Sequence, residues 1–323
     1  MAVQLSLFDD RPVMINRGFE KLLALDFNGA REEFTDCIST YPGSSDLRQE
    51  MEIADFFIKE MACIRKDIPV HESVEEHYSV WERFEVRVQD MEYENKTIIQ
   101  KLRKSYFKAL IEKMENNIPD GCLFFNSGLP IGLIYLFAGE LVRATKLFQE
   151  TILKDPHNAG TYAYLGDSYY LRGETDLSRV CYREAFSINP HQIDLMRVQD
   201  HDIHVLKERL EDQVDEPLDW LPVYARIEGL FREKELRSFD DLKIVMTEYE
   251  NLAQTYAKMR DERSKAAFFY RAMVLSDNHR MLKFTKRINI TEIRDTMKRI
   301  DERLFKRYME EIADHPAHLQ KDT

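Results

Sequence analysis

The residue types best suited to chemistry crowd into one short run, Asp200-His201-Asp202-Ile203-His204. On a helix, His201 and His204 share a side at this spacing, and with Asp202 they could begin a metal site. A zinc or transition-metal centre needs three or four converging ligands. The sequence places no further ligand, so the run reads as a solvated helix face, as do His71 and His77. Cys37, Cys63, Cys122 and Cys181 lie far apart without CxxC or His/Cys spacing, so they suggest neither a zinc knuckle nor a disulfide framework. Reduced, mostly buried thiols are expected. The chain carries no phosphate loop, dinucleotide fingerprint, nucleophile elbow or zinc-hydrolase helix, and nothing pairs its many Asp and Glu for acid-base work. The expectation is a protein that is not an enzyme and has no cofactor. A metal-dependent or nucleic-acid-binding protein is the distant alternative.

The elements that would carry these residues are bounded by composition. The chain has 323 residues, a formal net charge of -12, 44% hydrophobic and 32% charged residues, which describes a soluble, acidic, core-forming protein. At this length two domains or an extended repeat array are expected. Eleven Gly and ten Pro leave few sites for the tight turns of a β-sandwich or barrel, so long helices are favoured. No apolar run approaches the ~20 residues of a membrane helix. Asp9 and Asp10 stand where a signal peptide would be apolar, so the cytoplasm is the expected location.

A basic stretch breaks the acidic balance, with Arg280, Lys283, Lys286, Arg287, Arg294, Lys298, Arg299, Arg303, Lys306 and Arg307. Asp295 with Arg299 and Glu302 with Lys306 have the spacing of helix-stabilising pairs, so nucleic acid is not the expected partner.

The chain repeats itself. Gly132, Tyr135, Ala144, Phe148 and Pro156 are followed by Gly166, Tyr169, Ser178, Tyr182 and Pro190 at a constant offset of about 34 residues. Gly132 and Gly166 let the first helix of each pair approach the second, and Tyr135 and Tyr169 fill the wedge between them. Small Ala144 and Ser178 mark the crossing, Phe148 and Tyr182 put rings on the same buried face one turn later, and Pro156 and Pro190 stop the second helix. Upstream, Gly18, Ala30, Phe34, Cys37 and Pro42 fit the same frame over residues 11–44, with Lys21 at the wedge. Downstream, Tyr249, Leu252, Tyr256, Phe269 and Ala272 keep it over residues 246–279, with Ala253 for the Gly and Asp277 for the Pro.

Other segments are helical by period: Leu47, Met51, Ala54, Phe57 and Met61; Trp81, Phe84, Val88 and Met91; Leu102, Tyr106, Leu110, Ile111 and Met114. A turn is expected near Asn95. Residues 193–210 read as one helix, and the acidic residues 211–217 as a boundary. Asn289 with Glu292 reads as a capping box for a last helix whose Ile293, Met297, Ile300 and Leu304 face inward. About thirteen or fourteen helices are expected, with fraying after Pro316.

The period and residue types resemble the helix-turn-helix pattern of the tetratricopeptide-repeat (TPR) family. The resemblance covers under half of the chain and implies an all-α, TPR-like α-α superhelix with extra inserted and C-terminal helices. The expected organisation is an N-terminal peptide at 1–10, a TPR-like domain at 11–212 with a helical insertion at about 45–118, and a C-terminal helical region at 213–323. Folds of this kind do not fix a function.

In that family the first helix of each pair lines a groove for a peptide or protein partner. By resemblance the groove positions are Asn126, Leu129, Leu133, Leu136 and Phe137, then Gly160, Ala163, Asp167, Tyr170 and Leu171. They lack the basic lining of chaperone-tail receptors and suit an amphipathic helix, with Asn126 or Asp167 fixing its orientation. The inserted helices around residues 81–114 are an alternative occupant, and a homodimer contact is another.

Ahead of the first helix stand Gln4, Leu5, Ser6, Leu7 and Phe8. All five positions match the peptide Gln-Leu-Ser/Asp-Leu-Phe by which bacterial replication and repair proteins dock on the DNA polymerase sliding clamp. The resemblance implies that Gln4 supplies oriented hydrogen bonds, Leu5 a side anchor, Ser6 a spacer, and Leu7 with Phe8 the main apolar plug. The expected function is thus a bacterial, non-catalytic interaction adaptor tethered to the sliding clamp. The alternative is a TPR scaffold unrelated to replication whose leader caps the first helix pair.

Overall fold

Few glycines, few prolines and repeated three-to-four-residue apolar spacing leave the helix as the element that satisfies the backbone. The computed structural model describes residues 10–314 except 42, 44–46, 116, 118, 120, 260, 284, 286 and 287. Among the described residues the chain is all-helical, with sixteen α-helices and one isolated β-bridge between Phe124 and Pro130. No helix among them is long and apolar enough to cross a membrane. The chain divides into two compact units, Met1–Leu147 and Phe148–Thr323. The division falls within α7 (Leu141–Lys154).

The first unit contains α1 (Arg11–Leu23), α2 (Phe27–Thr40), α3 (Arg48–Cys63), α4 (Val70–Asp90), α5 (Lys96–Met114) and α6 (Ile131–Ala138). Helices α1 and α2 form a hairpin whose crossing is set by Gly18: a Cβ there would lie 2.3 Å from Cε1 of the buried Phe34 ring. At the wedge, Lys21 reaches Glu33 at 2.8 Å across the pair, so an ion pair stands where an aromatic was absent. Asp26 caps α2 by accepting from Gly29 N–H at 3.0 Å. The stripes of α3, α4 and α5 meet in an aromatic core: Phe57 stacks on Phe27 with centroids 4.6 Å apart, and Trp81, Phe84 and Phe107 are fully buried around it. Burying each such ring contributes about 1.5–3 kcal/mol. Asn95 caps α5, accepting from Ile98 N–H at 3.2 Å, which fixes the turn at the predicted place.

The second unit contains α8 (Ala159–Leu171), α9 (Thr175–Ile188), α10 (His201–Glu211), α11 (Pro217–Ile227), α12 (Phe239–Met259), α13 (Glu262–Asp277), the single turn α14 (His279–Leu282), α15 (Ile290–Ile300) and α16 (Glu302–Asp314). Gly166 of α8 lies against the Tyr182 ring of α9 as Gly18 lies against Phe34. Helices α12 and α13 pair through Tyr249 and Phe268, 4.9 Å apart, with Tyr256 at 5.8 Å from the same ring. The acidic residues 211–217 join α10 to α11 within this unit.

Two segments differ from their expected form. The single helix expected at 193–210 is instead a 3-10 turn at Leu195–Arg197 followed by α10, with another 3-10 turn at Pro190–Gln192 just before it. Asn189, Asp194 and Asp200 each accept from the N–H two residues on, at His191, Met196 and Asp202. Such short polar side chains offer the backbone a turn in place of a helical bond. The last helix is likewise two helices, because extended Asp301 (φ -153°) ends α15 and caps α16 by accepting from Leu304 N–H at 2.8 Å. Ile293, Met297, Ile300 and Leu304 are nonetheless all buried, as their spacing required.

Asp277, which replaces the proline of the repeat frame, is a structural anchor. Its carboxylate accepts from Arg226 of α11, with Nε at 3.1 Å, and from the Tyr308 hydroxyl of α16 at 2.7 Å. Arg226 also pairs with Glu311 at 2.9 Å. One buried cluster therefore ties three helices together.

Candidate functional site

The expected groove at α6 begins on a turn rather than a helix. Asn126 and Leu129 precede α6, in a tight loop closed by Phe125 N–H donating to Leu129 C=O at 2.9 Å. Pro130 lacks an amide donor and its fixed φ places the helix start at Ile131. Asn126 is exposed and Leu129 half-buried.

The helical part of this expected groove is covered. Leu133, Leu136 and Phe137 are only 1%, 6% and 4% exposed. Phe137 packs edge-on against Phe107 of α5 at 5.0 Å and stacks with Tyr78 of α4 at 6.3 Å, while the Arg103 guanidinium sits 5.0 Å from the same ring. The inserted helices α4 and α5 thus occupy the surface that a partner helix would have used. The apolar spacing of α4 and α5 signals this, since both need a face to cover.

On α8, Ala163 is buried in a cluster with Phe186, Ile203, Leu206 and Leu221, so it faces helices of its own unit. Asp167 is also buried. Its carboxylate accepts from the Tyr182 hydroxyl and from Gln199 N–H at 2.9 Å. It therefore orients the segment before α10 instead of a bound peptide. Burial, with the paired Asp167 carboxylate, holds the Tyr182 phenol far above its ordinary pKa. Tyr170 is half-buried and Leu171 is 44% exposed, so the α8 end of the expected groove is accessible there. Gly160 is half-buried, near the Gln192 carbonyl.

The residues singled out as metal ligands do not converge. Asp202 pairs with Arg179, whose Nε also donates to Asp200 at 2.9 Å. His204 Nε2 donates to the Val198 carbonyl at 2.8 Å, and His201 is exposed at the start of α10. No group of three His, Cys, Asp or Glu side chains is placed to hold an ion among the described residues. The four cysteines are all free thiols: Cys37 and Cys181 buried, Cys122 half-buried and Cys63 exposed. Burial, with Glu184 nearby, pushes the Cys181 thiol up to about 12.

Much of the basic stretch serves the protein's own structure. Arg294 donates to Ser276 Oγ at 3.4 Å, Arg299 to Thr296 Oγ1 at 3.1 Å, and Arg307 pairs with Glu228 at 3.0 Å. The described four-residue ion pair here is Lys298 with Glu302, at 3.5 Å, and Arg299 donates to the Asp295 backbone carbonyl. Lys286 and Arg287 lie outside the described residues, as do Gln4, Leu5, Ser6, Leu7 and Phe8.

No family model matches this chain, and neither a curated protein nor a solved structure matches it.

Proposed function

We propose that this chain is a non-catalytic, bacterial and cytoplasmic adaptor, in which a TPR-like α-α superhelix presents protein-binding surfaces and the peptide at residues 4–8 tethers it to the sliding clamp. The observation that carries the tether is the agreement of Gln4, Leu5, Ser6, Leu7 and Phe8 with the clamp-binding pattern at all five positions, directly ahead of α1. The recurrence of helix hairpins with a glycine against a ring, at Gly18 with Phe34 and Gly166 with Tyr182, supports the repeat reading of the body. In the second unit a second protein has Tyr170 and Leu171 available to it, and in the first unit Asn126. It does not have Leu133 or Phe137.

A second reading keeps the scaffold and makes the leader a structural cap. It is favoured by the apolar character of Leu5, Leu7 and Phe8, which could cover the first hairpin. Binding of purified bacterial sliding clamp to the intact chain and to the Leu7→Ala/Phe8→Ala variant separates the two, with folding followed by circular dichroism. The tether predicts binding that disappears in a still-folded variant. Absence of binding by the intact chain, with a destabilised variant, would favour the cap.

A further inference from the structure

The first unit holds a cleft of about 350 Å³ between the α1–α2 turn and helices α3, α4 and α5. This is within the size of small-molecule sites. Ile58, Met61 and Leu110 give it apolar walls, and His77 and Lys113 are among the polar side chains that line it.

His77 is only 8% exposed, and its Nδ1 lies 2.6 Å from the Ser73 carbonyl. A carbonyl only accepts, so Nδ1 carries the hydrogen and Nε2 is left as an acceptor. Nε2 has no partner among the described residues. Burial keeps the imidazole below its ordinary 6.5, against the Ser73 bond that raises it and with help from the Lys113 cation. Lys113 itself has no ion-pair partner among the described residues. The carboxylate at the cleft, Asp26, is turned to the N–H of Gly29 in the helix it caps.

The rim carries a second, independent sign. Leu25 adopts φ +64°, while after α6 and α8, the first helices of the two later repeat-like pairs, stand Gly139 at +81° and Gly173 at +80°. A left-handed backbone favours glycine and strains leucine. The Leu25 side chain lines the cleft; Glu92, after α4, is the other described non-glycine residue with positive φ, at +49°.

We propose that this cleft binds a small carboxylate with an apolar body, its acid group on Lys113, a hydroxyl or N–H donated to His77 Nε2, and its hydrocarbon held by Leu25 and Met61. The chemistry fits a free hydroxy acid or the C-terminal residue of a peptide, which shares the carboxylate, the donor and the apolar group. It does not depend on the adaptor reading.

The test follows the Met61 methyl resonance of the full chain during titration with 2-hydroxy-3-phenylpropanoate, N-acetylphenylalanine and N-acetylphenylalanine amide. The expected result is a saturable shift with at least one acid, about tenfold weaker for the amide and about tenfold weaker in Lys113→Met, as for loss of one charge-assisted bond. The stronger acid identifies the source. Leu25→Gly, which relaxes the turn, is expected to weaken binding several-fold while the melting temperature holds or rises. No saturable shift with either acid up to about 10 mM, or equal binding of acid and amide, or an unchanged affinity in folded Lys113→Met, would overturn the proposal.

Discussion

Gly166 lies so close to Tyr182 that a Cβ added to it would stand 2.9 Å from the ring's Cε1. The ring is fully buried, and its hydroxyl is bonded to Asp167, the residue that follows Gly166 in the same helix. Packing of α8 on α9 and the orientation of Gln199 are therefore set at one place.

Alanine at Gly166 or Gly18 should destabilise the protein through overpacking, by about 1–3 kcal/mol. Gly18→Ala should cost more, because its Cβ would approach Phe34 to 2.3 Å and that ring has no exposed end to swing away. Urea unfolding would show a lower midpoint for both, and equal midpoints for wild type and Gly18→Ala would refute this account of the crossing.

Asp167→Ala removes the acceptor of the Tyr182 hydroxyl and the closer of the two acceptors of Gln199 N–H, which also donates to the Tyr182 oxygen at 3.2 Å. A buried donor left unpaired costs about 1–3 kcal/mol. Asp167→Asn keeps an acceptor oxygen and should cost less. Hydrogen exchange at Gln199 is the direct readout: its amide should exchange faster in Asp167→Ala than in Asp167→Asn.

Losing the Asp277 carboxylate should be among the most damaging single changes. Asp277→Ala leaves buried Arg226 with Glu311 alone and takes from Tyr308 its closer acceptor, leaving the Met273 carbonyl at 3.5 Å, which by analogy with broken buried ion pairs costs about 3–5 kcal/mol. Thermal unfolding followed by circular dichroism would measure it. A shift no larger than that of a surface substitution would show that α16 is held by other contacts.

Acid should weaken the second unit through Glu184. Burial alone would raise its pKa, but the Lys234 and Arg183 charges beside it win and hold it below the ordinary 4.5. A carboxylate whose folded pKa is depressed contributes stability above its unfolded value, and that contribution is lost as pH falls through the folded value. Stability should therefore fall as pH drops below about 4.5. In Glu184→Gln this slope should be shallower, and an identical pH profile for the two proteins would contradict the assignment.

By itself the sequence determined the all-helical class, the recurring hairpins and most of the core, because these rest on local periods and on residue volumes. Gly18 and Gly166 had to meet rings, and Trp81, Phe107 and Ile293 had to be buried, whatever the connection between helices. The breaks at 193–200 and at Asp301 were misread, since an Asp or Asn side chain is compatible with both a helix surface and a turn until its hydrogen bond is seen. Only tertiary structure decided what the inner faces touch. Phe137 is apolar whether it lines an open groove or packs on Phe107, and Asp167 is polar whether it greets a peptide or holds Gln199. The same is true of the cleft beside His77 and Lys113: these two residues stand 36 positions apart, and the packing of α4 against α5 brings them to one cavity. Long-range contacts of this kind depend on which of several compatible faces meet, and that choice leaves no mark in the spacing of either helix alone.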